Sequence, residues 1–523
     1  MKKTFLAGAG ILALSVIFAK VLGAAYRIPL ANIVGAEGMG LYQFVYPVFA
    51  LLLTLSSGAV PTAISITVSK YLARGEEAEA KKFFSVALKV CFLVGLSGTL
   101  VLTAAAYPLS LLQSREALVG YLTIAPAVLI VTLISVFRGW FMGHKDMVPG
   151  SISQITEGIV KLGVGITLAK LLLPYGISYA VAGALAGVVA SELVTLIILL
   201  LTFIKKDKEG FVKVSLKENG KSVRELAHLA APLIVCGMIL PLSQFIDSII
   251  LVNLLKLGGQ NLESATASYG VFSGAVSPLI NLPVMVCISL GIAITPQMVE
   301  GREKRDVDFI MDKCATATKL TFVLGVPFVF LFVFMAEGIV GLFFPSLGAE
   351  KLALAGKLLQ ITALSVLGLS LFQIYSAMLQ GLGKTVIPVK IMSFCMIVKT
   401  VLSVIMVPLT GIIGAAISAS VGYLAAGVTI MAYFFRYVRK TPLLAKNSSL
   451  ITLCGVIMGM IIFMSDKLQS TTAGVIAVGA ASMAVYVIGL FVLKVFTPSE
   501  LESMPLGKYL VKIDEKINGN GAE

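Results

Sequence analysis

A few charged side chains stand inside otherwise apolar stretches: Lys20, Glu157, Lys161, Glu192, Asp247 and Lys399, with Arg27 at the end of one such stretch. A charge at the centre of a membrane helix costs about 2.5–3.5 kcal/mol on insertion scales, so such residues are kept where they meet a partner, a substrate or water. Lys20 and Arg27 are seven residues apart in "KVLGAAYRIPL". Two helical turns place them on one face, roughly 10 Å apart along the axis. Both could be anchors that snorkel to headgroups, which is easier for Arg27 than for Lys20, or the upper part of an anion path. Glu157 and Lys161 are i and i+4, the favourable order for a helical ion pair. They are either a self-neutralising pair or a pair facing a cavity, where Lys161 meets an anion once Glu157 is engaged. Lys399 has no carboxylate four residues away. Asp247 and Glu192 read as counter-charges or ion-coupling carboxylates. Lys89 and Lys319 lie near helix ends, where snorkelling suffices.

Cations prevail over carboxylates in this set, the reverse of what a conduit for cationic drugs needs. Lys20, Arg27, Lys161 and Lys399 suit an anion such as phosphate or pyrophosphate. Enzyme chemistry is not indicated: no nucleophile–base pair, metal-ligand cluster or phosphate loop stands out. The six cysteines form no CxxC pair, and there are two histidines, His144 and His228. No cofactor is expected, and whether Na+ or H+ is a coupling ion stays open.

The elements that must position these charges are membrane helices. The 523-residue chain is 58% hydrophobic and 13% charged, too apolar for a soluble domain. Runs of about 20 apolar residues predict about fourteen spans: 5–26, 41–69, 83–106, 118–140, 151–172, 177–204, 227–254, 266–298, 315–336, 355–380, 386–407, 411–435, 447–465 and 473–496. "MKKTFLAGAGILALSVIFA" imitates a signal peptide, but the many later spans favour a retained first helix. Lys and Arg concentrate in "KYLARGEEAEAKK", the 205–226 loop, "EGREKRD", "RYVRK" and the tail, which predicts both termini on the cytoplasmic side of a bacterial-type membrane. The net charge of +14 therefore fits anionic lipid at that face and not nucleic acid.

A weak internal repeat accompanies the spans. "GHKDMVPGSISQITEGIVKLG" (143–163) resembles "GLGKTVIPVKIMSFCMIVKTV" (381–401), with Lys161 and Lys399 as counterparts. The expected fold is thus an all-α integral membrane protein. It has two pseudo-symmetric six-helix lobes, 1–204 and 227–435, joined by a 205–226 linker. Two further helices in 436–496 and a cytoplasmic tail, 497–523, follow. Pro47, Gly58, Pro61, Pro278, Pro283, Gly291 and Pro296 interrupt the two long spans and are hinge candidates.

"AKVLGAAYRIPLANIVGAEGMGLYQFVYPV" resembles the opening of polysaccharide exporters of the MOP (MATE-like) superfamily, in particular the stage V sporulation protein B group, related to the MurJ lipid II flippases. The matching residues are Lys20, Leu22, Gly23 and Arg27, then Gly35, Gly38, Gly40, Leu41 and Tyr42. A second motif matches at Arg138, Gly139, Gly143, Pro149, Ser153, Gln154, Glu157 and Lys161. The resemblance implies a flippase for an undecaprenyl-pyrophosphate-linked saccharide, serving peptidoglycan, spore cortex or surface polysaccharide by alternating access. It also implies a monomer that meets membrane lipids and cell-envelope synthesis enzymes. Lys20 and Lys161 stand where the family has arginines, and Leu52 and Pro278 where the MurJ branch has cavity arginines. Two other readings remain: a cation-coupled multidrug antiporter of MATE type, and a non-transporting scaffold for envelope assembly.

Overall fold

A computed structural model describes residues 2–206, 212, 214–215, 219–440, 445–497, 500 and 511. In the first helix its side chains are described from Leu22 onward, Ala24 excepted; those of Pro232, Cys236 and 445–447 are also outside the description. Among these residues there is no β-strand. Among the described residues eleven helices are long and apolar enough to cross a membrane, or twelve if one bent pair is counted as a single span. That agrees with the all-α membrane fold, since the first expected span falls largely outside the described side chains and a shorter apolar helix, Ser448–Met464, lies within the thirteenth.

Close contacts group the chain into two units. Unit 1 holds Met1–Ala275 with Val407–Ile412; unit 2 holds Val276–Met406 and Ile413–Glu523. In unit 1 the helices are α1 (Lys2–Ser57), α2 (Val60–Ala73), α3 (Glu77–Leu112), α4 (Ala117–Gly143), α5 (Val148–Leu172), α6 (Ile177–Lys206), α7 (Gly220–Gly237), α8 (Ile239–Leu257) and α9 (Leu262–Gly270). In unit 2 they are α10 (Ser277–Lys304), α11 (Val307–Phe334), α12 (Ala336–Phe343), α13 (Ala349–Thr362), α14 (Ser365–Gly381), α15 (Val386–Thr410), α16 (Ile412–Val438), α17 (Ala445–Met464) and α18 (Thr472–Val492).

The helix breaks follow local chemistry. Gly35 takes φ 68° and ψ −170°, which divides α1 into two helices. Such a backbone suits glycine, which has no Cβ to clash. A turn at Gly58–Ala59, followed by Pro61 in the first turn of α2, ends α1. Pro47 stays inside α1. The eighth expected span is interrupted by a π-turn, Val271–Val276, with Pro278 in the first turn of α10 and Pro283 and Pro296 inside it. Gln43 donates from Nε2 to Ser273 O in that wide turn (2.7 Å), so a carbonyl loosened from the regular ladder is satisfied from α1. Gly291 lies in α10 against Ala377 of α14. The seventh expected span is broken at Met238, between α7 and α8, and the tenth is bent by 46° between α13 and α14.

Small residues set the helix spacing in unit 1. A Cβ on Gly40 would strike the backbone of Thr266 in α9, and one on Gly187 of α6 would strike the backbone of Gly165 in α5. Close backbone approach through glycine is how membrane helices gain packing where no water is expelled.

In unit 2, Lys319 corrects the snorkelling expectation. It is 7% exposed, and its ammonium donates to both carboxylate oxygens of Glu500 at 2.6 and 2.7 Å. Glu500 is held by a local box as well, accepting from the Thr497 backbone N–H at 2.8 Å. Lys89 likewise donates to the Val214 carbonyl. Burial tends to raise the Glu500 carboxyl, but the bonds from Lys319 and Thr497 outweigh it and hold the group below the ordinary carboxylate range. A depressed acid stabilises the folded state at pH above its unfolded value, and this stabilisation is lost as pH falls through the folded value. The contact of Lys319 with Glu500 is therefore firm at neutral pH and loosens only in acid below the normal glutamate range. Hydrogen exchange at Thr497 and Glu500 is expected to be slow at pH 7 and at pH 5. In Glu500→Gln the protection at pH 7 should already be reduced.

Candidate functional site

The charges of unit 1 gather between α1, α4, α5 and α6. Ser153, Glu157 and Lys161 recur every four residues on α5 and so form one stripe. Arg138 reaches that stripe from the C-terminal turns of α4, donating from Nε to Ser153 Oγ (3.1 Å) and from Nη2 to Glu157 Oε2 (3.0 Å). Of the two readings of Glu157 and Lys161, the self-neutralising pair does not form: the ion-pair partner of Glu157 is Arg138 of the neighbouring helix. The guanidinium is suited to this place, because its planar fork bridges the Ser153 hydroxyl and the Glu157 carboxylate one turn apart.

Lys161 instead rests on aromatic faces. Its Nζ lies 5.3 Å from the Tyr26 ring centroid and 5.6 Å from that of Tyr46. Arg27 lies over the same Tyr46 ring, with Cζ 5.5 Å from the centroid. Tyr42 stacks on Tyr46 at 5.4 Å. Tyr26 is fixed by its hydroxyl, which donates to Ala184 O of α6 at 2.9 Å, and Gly165 leaves room for its ring. Each cation–π contact is worth about 0.5–2 kcal/mol and holds a cation in place without supplying a counter-charge. Among the described residues neither Arg27 nor Lys161 forms an ion pair within 4 Å.

Glu192 of α6 completes the group. It is 7% exposed and feels Glu157, Arg138 and Lys161 electrostatically. Arg138 and Lys161 thus face Glu157 and Glu192, Arg138 already engages Glu157, and Arg27 joins the group through the Tyr46 ring. The remaining cationic capacity, Arg27 and Lys161 on one aromatic platform, suits an anion with several oxygens.

The other sequence candidates lie elsewhere. The side chain of Lys20 is outside the described residues. Asp247 lies on α8 and acts electrostatically on Tyr269 of α9. The next residue, Ser248, accepts from Gln113 Nε2 at 2.9 Å, within a set of polar contacts that includes Tyr121. Lys399 belongs to unit 2, on α15. It is 4% exposed and lies in a notch at Gly422 of α16, where a Cβ would come within 2.8 Å of its own Cβ. Sequence reasoning did not single out Tyr26 and Tyr46 as members of the site, and met Arg138 only as part of a motif. The usable signal was the four-residue stripe on α5 together with an arginine still inside the apolar run of the fourth span.

A family model described as polysaccharide biosynthesis protein matches residues 5–302, and the MatE model matches residues 232–405. The chain is 29% identical over 525 aligned residues to stage V sporulation protein B of Bacillus subtilis (strain 168), covering 98% of this chain and all of that protein. Its fold is similar to that of the lipid II flippase MurJ in an inward closed conformation, with TM-score 0.72 at 16% identity over 92% of this chain and 98% of that one. It is also similar to an inward-facing multidrug resistance MATE family transporter of the MOP superfamily, with TM-score 0.69 at 16% identity over 80% and 94% of the two chains. The many apolar helices and the match over more than half of its length lead to one conclusion: the chain belongs to the polysaccharide biosynthesis protein family and is a multi-pass membrane protein.

Proposed function

We propose that this protein is a flippase for an anionic, polyprenyl-pyrophosphate-linked saccharide, moved by alternating access across a bacterial cytoplasmic membrane with both termini inside. One observation carries the reading: Arg27 and Lys161 share the Tyr46 ring and form no ion pair within 4 Å among the described residues, while Glu157 is occupied by Arg138. A pyrophosphate offers several oxygens to such a pair, and its attraction to the two cations is stronger where water is scarce. Arg138 and Glu157 position the α5 stripe. The buried carboxylate of Glu192 beside Lys161 is the place for a coupling proton in this reading. Cell-envelope synthesis enzymes, which make and consume such lipids, are the partners it implies.

Depleting the protein in its host and assaying lipid-linked saccharides by leaflet tests the proposal. Accumulation in the inner leaflet is expected. Unchanged precursors together with altered efflux of cationic dyes would favour antiport.

A further inference from the structure

Unit 1 has a second cationic site, away from the α5 stripe. It is a cavity of about 740 Å³ where the end of α2, the start of α3 and the first turns of α7 meet. The fold places α7 there for an apolar reason. Leu226 and Ala230 are buried in a core with Val68, Phe83 and Phe84, so the opposite side of the helix carries Lys221, Arg224, Glu225 and His228 to the cavity. Their spacing of three and four residues keeps them on one stripe.

The cavity wall has five Lys or Arg side chains against three carboxylates. Its best-placed carboxylate is used internally. Glu225 accepts from Lys70 Nζ at 2.9 Å through one oxygen and from the Tyr71 hydroxyl at 3.4 Å through the other. Glu79 is 3.9 Å from Lys82, both side chains being well exposed. Arg74, Lys221 and Arg224 form no ion pair among the described residues. Lys and Arg commonly collect at one end of membrane spans. Here three of them line a concavity whose neighbouring carboxylates have other partners, apart from Glu76.

We infer that this cavity binds a phosphate group, with Arg74 and Arg224 as fork donors and Lys221 as a point charge. Two planar guanidiniums supply paired N–H donors that match phosphate oxygens. The site lies where the apolar candidate span Ala25–Ala73 ends and the one beginning at Glu77 starts, and the ends of membrane spans are where lipid headgroups are met. A phosphate there belongs either to an anionic lipid headgroup or to a dissolved phosphorylated molecule; the recognition chemistry is the same for both. The inference does not depend on the transported substrate, because none of the α5 stripe lines this cavity.

The test uses the full-length protein in nanodiscs of zwitterionic lipid. Inorganic pyrophosphate binding is measured by calorimetry with Arg27→Gln/Lys161→Gln present in every sample, so that the α1–α5 site adds nothing to the signal, and retention of phosphatidylglycerol is measured by native mass spectrometry in a parallel sample. This parent protein should bind at least one probe, and adding Arg74→Gln/Lys221→Gln/Arg224→Gln should weaken binding at least tenfold with an unchanged unfolding midpoint. Lipid binding alone assigns the site to a headgroup; pyrophosphate binding alone assigns it to a soluble phosphate. If the triple variant unfolds early, Arg224→Gln alone should weaken binding several-fold and Arg224→Lys less. Failure of the parent to bind either probe, or equal binding by parent and variants, overturns the inference.

Discussion

Lys161→Ala should lower transport at least tenfold while leaving insertion and folding intact. A hydrogen bond from an ammonium to a charged acceptor contributes about 1.5–3 kcal/mol, and each factor of ten in rate corresponds to about 1.4 kcal/mol. Removing that donor therefore costs one to two orders of magnitude if Lys161 meets the anion in transit. The stability cost is smaller. Alanine forfeits two cation–π contacts, to Tyr26 and Tyr46, and breaks no ion pair within 4 Å among the described residues, because Glu157 keeps Arg138; Glu192 loses only a more distant cation. Lys161→Arg should keep most activity, since the charge remains over the same rings. Lys399→Ala is expected to impair transport as well, from its buried place in unit 2. Full activity in the Lys161→Ala/Lys399→Ala double variant, measured in cells with confirmed membrane levels, would remove both lysines from the substrate path.

Arg138→Ala should have the opposite profile, with loss of stability and of transport together. Glu157 would then stay in the helix bundle without its guanidinium, and breaking one side of a buried pair is strongly destabilising. The side chains are 20% and 29% exposed, so the cost is expected at about 2 kcal/mol and not the 3–5 kcal/mol of a fully enclosed pair. Arg138→Ala/Glu157→Gln should recover much of the unfolding midpoint, because the stranded charge is gone. It should not recover full transport, because the stripe on α5 has lost its brace. Equal midpoints for Arg138→Ala and the double variant would show that the pair is not what stabilises this region.

Membrane spans were legible because a run of about 20 apolar residues has few alternatives, and the charges inside them were conspicuous for the same reason. The glycines of the opening motif were visible as residues but not as geometry. Gly35 breaks the helix and Gly40 admits the backbone of α9, 226 residues further on at Thr266, which no local pattern announces. Ion-pair choice was the least legible feature. The spacing of Glu157 and Lys161 suggested a pair within one helix, yet Arg138, nineteen residues away, took the carboxylate. Lys319 resembled a residue near a helix end free to snorkel, and its partner, Glu500, is 181 residues further along the chain. Both are tertiary choices, decided by which side chains packing brings together. The aromatic platform escaped for a related reason: a tyrosine among apolar neighbours reads as packing until a cation is seen above its ring.

The most direct measurement is transbilayer movement in proteoliposomes containing the purified protein. A polyprenyl-pyrophosphate-linked saccharide is placed in one leaflet, and its appearance in the other is followed by accessibility to a membrane-impermeant enzyme. The expected result is protein-dependent movement that falls at least tenfold with Lys161→Ala and is largely kept with Lys161→Arg. Absence of movement for the anionic lipid, with proton- or sodium-driven uptake of a cationic dye in the same vesicles, would contradict the anion-flippase reading.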